Sequence, residues 1–122
     1  MSEKCWATLL VEEIQALKEA YKKGIMSVRP SFNFIVEIEE TFGKNDGEFS
    51  VADSLDEAEK KAIKLSQRTN DFVLISQIIK QNSDFYAKPI KLANKQVKTF
   101  LKCYEKTLVP VVWRTRGKFV NI

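Results

Sequence analysis

A chain of 122 residues, 44% hydrophobic and 30% charged, suits one globular domain, 1–122, with a core of its own, and excludes a fibrous or generally disordered chain. It has no histidine and two distant cysteines, Cys5 and Cys103, so the commonest general base, the commonest transition-metal ligand and any zinc-type cysteine spacing are missing. The net charge of +4 hides an asymmetry: residues 1–61 carry eight Lys/Arg against thirteen Asp/Glu, and residues 62–122 carry twelve against three.

In chain order, the periodicity first predicts a helix over 5–23. Leu10, Ile14, Leu17 and Tyr21 follow a four–three–four step, a stripe that packs on a core or makes a short dimeric seam. Core packing is favoured, with a homodimer through these four residues as the alternative. Gly24 is the expected stop. Arg29-Pro30 breaks the chain. From 32 to 41 Phe34, Val36 and Ile38 alternate with Glu37 and Glu39, as in a half-buried strand. Residues 43–47 have turn composition, and 49–52 can add a second strand.

Asp53 or Ser54 caps a helix over 54–69 that buries Leu55, Ala58, Ala62 and Leu65. Its first turn is acidic, which suits the helix dipole. Residues 72–80 form the most strand-like run, 81–84 a turn, and 85–90 an edge strand carrying Pro89. Lys91, Lys95, Lys98, Lys102 and Lys106 then recur at steps of four, three, four and four. A helix over 91–108 aligns them in a stripe about 22 Å long, opposite Leu92, Val97, Phe100, Leu101 and Tyr104. Pro110 closes that helix, and 111–120 alternates as a last strand, with Arg114, Arg116 and Lys118 on one side and Val111, Trp113, Thr115 and Phe119 on the core side. The fold class is α+β: a small, mostly antiparallel sheet of three to five strands covered by about three helices, 5–23, 54–69 and 91–108.

Glu105 is the single acid between residues 88 and 118. Like charges at four-residue spacing repel, so an idle face would mix signs. The leading expectation is a non-enzymatic protein that binds nucleic acid, DNA or RNA, chiefly through phosphates and with low sequence specificity. Its track is Lys91, Lys95, Lys98, Lys102 and Lys106, extended by Arg114, Arg116 and Lys118. Trp113, Phe119, Phe85 and Tyr86 supply stacking surfaces wherever they are exposed, although Trp113 is assigned to the core.

The alternative is a protein-interaction module, an inhibitor or adaptor, that docks through this basic face on an acidic protein surface, or through an acidic face around Glu37, Glu39, Glu40, Asp46 and Glu48. A third reading has the acidic half screening the basic half within the fold. No catalytic constellation, phosphate loop, cofactor site or metal site is expected. With no apolar run long enough for a membrane span and two thiols read as reduced, the expected location is cytoplasmic.

Overall fold

The apolar stripe of the first segment folds as its spacing requires. In the computed structural model, which describes residues 5–38, 47–69, 72–94, 99–102 and 108–122, helix α1 spans Trp6–Lys22 and buries Leu10, Ile14 and Leu17. The four–three–four stripe thus packs on the chain's own sheet. Gly24, at φ +79°, ends the helix in a Schellman arrangement. Its N–H donates to the Tyr21 carbonyl at 2.9 Å, and that of Ile25 to the Ala20 carbonyl at 2.9 Å.

Helix α2, Leu55–Thr69, opens with a reciprocal cap. The Glu57 N–H donates to Ser54 Oγ at 3.2 Å, and the Glu57 carboxylate accepts the Asp53 N–H at 3.2 Å. That bond, and then Lys61 Nζ at 3.1 Å, holds the Glu57 carboxyl below the ordinary glutamate range.

Among the described residues seven strands make one sheet: β1 (Phe34–Ile38), β2 (Glu48–Ala52), β3 (Val73–Gln81), β4 (Asp84–Asn94), β5 (Thr99–Lys102), β6 (Val109–Pro110) and β7 (Lys118–Phe119). Their order is β5-β4-β3-β1-β2-β7, with β6 also on β4. Every pairing is antiparallel except the parallel β2–β7 contact. The expected turn at 81–84 closes the β3–β4 hairpin, with Asn82 at φ 51° and Ser83 at φ 71°, as a two-residue loop of the primed kind requires.

Three expectations are corrected. The sheet has more than three to five strands, because β6 and β7 are two residues each and carry no readable alternation. The helix over 91–108 does not form: Lys91 to Asn94 continue β4, and 99–102 form β5, while the remaining residues of that segment up to 107 lie outside the described ones. The tertiary ladder wins here, since β3 offers its whole length and β4 pairs with it from Asp84 to Ala93. Finally, most of the strand over 111–120 is replaced by a short helix, α3 (Val111–Arg114), and an irregular turn. Pro110, at φ −55°, leads the chain into that helix.

β1 was expected to be half-buried, yet Phe34, Ile35 and Val36 are all buried, because helices cover both faces of the sheet. On one face Ala58, Ala62 and Leu65 of α2 pack against Phe34, Val36 and Val73. On the other, Leu10, Ile14 and Leu17 of α1 meet Ile35, Phe49 and Val51. The continuous apolar run Val73-Leu74-Ile75, buried throughout, has the same cause.

At the β2 edge, β7 comes close enough for the Lys118 N–H to donate to the Gly47 carbonyl at 3.1 Å and that of Val120 to the Phe49 carbonyl at 2.9 Å. A Cβ on Gly117 would overlap that same Gly47 carbonyl oxygen. Beyond β7 the Val51 carbonyl is taken by Lys61, whose Nζ lies 2.7 Å away and 5.5 Å from the Trp6 ring centroid.

Gly117→Ala should therefore lower unfolding free energy in urea by about 2 kcal/mol or more. Gly24→Ala, with open space around its Cβ but a positive φ, should lose about 1 kcal/mol. An equal or smaller loss at Gly117 would contradict the close approach of β7. In acid the sign follows from the depressed Glu57 carboxyl: its contribution is present above the ordinary glutamate pKa of about 4.3 and disappears as pH falls through the lower folded value. Glu57→Gln should narrow the stability gap to the parent chain between pH 6 and pH 3; a gap that does not change with pH would exclude this role.

Candidate nucleic-acid interface

The lysine run of the sequence is folded back on itself. β4 and β5 pair antiparallel with Lys91 opposite Lys102, Leu92 opposite Leu101, Ala93 opposite Phe100 and Asn94 opposite Thr99. The connecting residues are Lys95, Gln96, Val97 and Lys98. Lys95, Lys98 and Lys106 lie outside the described residues, so of the five lysines the strands hold Lys91 and Lys102. Upstream on β4, Lys88 is exposed and pairs across to Gln77; the stripe read from the sequence began at Lys91 and did not include it.

One extra residue sets which way β4 presents its charges. Ser76 pairs with Pro89 and Ile75 with Lys91, which leaves Ile90 as a bulge. Before it, Ala87 packs into the α1-side core; after it, Ala93 packs into the α2-side core. Lys88 and Lys91 therefore share the α2 face although they are three residues apart. Lys91 Nζ reaches Glu59 Oε1 on α2 at 2.7 Å.

The other three predicted cations are elsewhere. β5 and β7 occupy opposite ends of the strand order, five strand spacings apart, or roughly 24 Å measured along the sheet. The expected single surface of helix and strand is therefore split. Arg114 is not on an exposed strand face: its guanidinium meets Glu37 Oε1 at 3.0 Å, with both side chains more than four-fifths buried. Arg116 is exposed and sits 5.9 Å from the Trp113 ring centroid. Lys118 is exposed on β7 beside Glu48, and with Lys18 it lines a groove of about 270 Å³ floored by Phe49 and Phe119.

Trp113, assigned to the core from strand parity, is 47% exposed, because α3 replaces the strand that would have turned it inward. Its Nε1 donates to Tyr21 Oη at 3.2 Å. Phe119, Phe85 and Tyr86 are half-buried; Phe119 packs edge-on against Trp6 and Phe49.

Among the described residues, three cations of the second half are screened by acids of the first. Lys91–Glu59, Arg114–Glu37 and Arg68–Glu48 each join an acid of the first half to a base of the second. No periodicity announces these partners, because each pair joins two elements whose relative placement the sequence does not encode locally. Cys5 is a free, exposed thiol at the start of α1. The Thr8 hydroxyl, 3.1 Å away, draws its pKa below the ordinary thiol value.

Among the described residues, no group of three or more His, Cys, Asp or Glu could hold a metal ion. No described helix is long and apolar enough to cross a membrane. No family model, curated protein or solved structure matches this chain.

The two arginines should separate by experiment. Arg114→Met should lower stability by about 2 kcal/mol, between the values for exposed and fully buried pairs. Arg116→Met should stay within about 0.5 kcal/mol. Equal effects in urea denaturation would contradict the different burial of the two side chains.

Proposed function

We propose that the protein is a non-enzymatic nucleic-acid binder that grips backbone phosphates with the β4–β5 hairpin. The observation that carries this reading is the Lys91–Lys102 register pair. It brings two lysines of the run onto neighbouring strands, in a stretch whose sequence from 88 to 106 holds six lysines and one acid. Lysine suits this task as a flexible point charge that tolerates any base sequence. Lys91 is the least available of the set, since Glu59 already neutralises it, and Lys88, Lys95, Lys98 and Lys102 form the working track. Arg114 belongs to the fold, and Arg116 and Lys118 belong to the far edge of the sheet.

Fluorescence anisotropy against single- and double-stranded DNA and RNA across a salt series tests the reading. Four phosphate contacts give a slope of log K against log salt of about −3.6 on duplex DNA. The Lys95→Glu/Lys98→Glu/Lys102→Glu variant, with folding checked by circular dichroism, should lose binding, whereas Arg116→Glu should retain most of it. Absence of binding at low salt, or full binding by the triple variant, would end the proposal.

A further inference from the structure

A second surface lies at the C-terminal end of α1 and rests on separate observations. Tyr21, Ile25, Met26 and Val28 meet Pro110 and Val112 around a shallow cleft. Ile25 and Val28 are each 46% exposed and Trp113 is 47% exposed. The Trp113 Nε1–Tyr21 Oη bond ties that indole to the same patch. An exposed apolar cluster of this kind is costly to leave bare in a small domain and marks a contact surface.

The patch is also firmly built. The Schellman turn at Gly24 sets the path of 24–26, the Phe85 N–H donates to the Met26 carbonyl at 3.0 Å, and Arg116 lies over the indole of Trp113. Tryptophan, tyrosine and arginine held together in this way are the residues that dominate binding energy at protein interfaces. They need no reordering on association, which keeps the entropic cost low.

Charge selects the occupant. Arg116 lies over the Trp113 ring, and the exposed Lys22, Lys23 and Arg29 are the sequence neighbours of Tyr21 and Val28. Lys22 is partnered by Glu19 at 3.7 Å, whereas Lys23, Arg29 and Arg116 make no ion pair among the described residues. Lys22 and Lys23 also complement the helix C-terminus; Arg29 and Arg116 have no such role. Size narrows the choice further. The cleft encloses only about 20 Å³, roughly the space of one water. A small molecule or a flipped base has no room to insert there, although Tyr21 and Phe85 stand among the aliphatic walls.

We infer that this face docks a protein partner: a segment that lays apolar side chains across Tyr21, Ile25, Val28 and Trp113 and carries acidic residues on either side, toward Lys23, Arg29 and Arg116. The contact is independent of the nucleic-acid reading, since none of the track lysines is among the residues lining it.

The test selects a phage library of random dodecamer peptides on the immobilised full chain at physiological salt, then measures synthetic versions of the enriched peptides by anisotropy. Enriched sequences should carry large apolar residues flanked by Asp or Glu. Their affinity should fall at least about tenfold in Trp113→Ala, and similarly in Ile25→Ser and in Lys23→Glu/Arg116→Glu, with the melting temperature unchanged in at least one of these. The triple glutamate variant of the hairpin should bind the peptides normally. The inference is overturned by failure to enrich any family, by enrichment of basic flanks, or by affinities that these substitutions leave intact. It is equally overturned if Trp113→Ala instead abolishes binding of a single-stranded oligonucleotide, which would give the surface to nucleic acid.

Discussion

The single residue inserted in β4 at Ile90 governs what the sheet presents on each side. A strand changes face at every residue, so one unpaired position exchanges the two faces for everything beyond it. Ala87 therefore serves the α1 layer and Ala93 the α2 layer within one strand. Without the bulge, Lys91 would turn toward Leu10, Ile14 and Ile35, where an ammonium group has no partner and burial is expensive. With it, Lys91 finds Glu59, and Lys88 stands on the same face. Pro89 sits directly beside the insertion, where the missing N–H costs least because the ladder is already interrupted.

Electrostatics then sorts the cations into two populations. Arg114 and Lys91 are consumed by Glu37 and Glu59, and each links a strand to an element packed on it. Lys61 is a third structural cation. Its 8% exposure is tolerable because the ammonium meets the Val51 carbonyl, Glu57 and the Trp6 ring together. That contact also closes a carbonyl of β2 that the short β7 does not reach, so an edge otherwise open to strand addition is blocked. Arg116 and Lys118 lack such anchors, and they stand on the surface with Lys88. Counting charges along the sequence treats these populations as one, and for that reason it overstates the free positive surface.

Much of the fold was legible because its signals are local. The stripe of α1 and its glycine stop, the Ser54 cap, the central strands and the turn at Asn82-Ser83 all declare themselves within a few residues. The run 91–108 misled because two codes overlap there. The bulge breaks the period of two at Ile90, while lysine, leucine and glutamine favour helix, so the surviving spacing of three and four imitates a helical face. Similarly, 111–119 alternates well enough to read as a strand, but Pro110 starts a helical turn and Gly117 must meet the Gly47 backbone, a contact more than sixty residues away in sequence. Trp113 followed its segment: misplacing the element reversed its exposure. The lysine run was legible in composition, but the pairing of Lys91 with Lys102 across two strands was not.

Lysine on outer strands has an ordinary explanation, namely protection of a sheet edge from pairing with other chains. One or two charges suffice for that, and β5 is only four residues long. The sequence from 88 to 106 holds six lysines, more than that requirement, and the register sets two of them, Lys91 and Lys102, opposite each other, where a like-charged pair loses a few tenths of a kcal/mol. The far edge shows the economical solution: one buried lysine, one tryptophan and a two-residue strand close β2. The contrast between the two edges is what edge protection leaves unexplained. On the proposed reading a polyanion neutralises the lysines of this stretch, so that their mutual repulsion is relieved in the bound state and released counterions add to affinity.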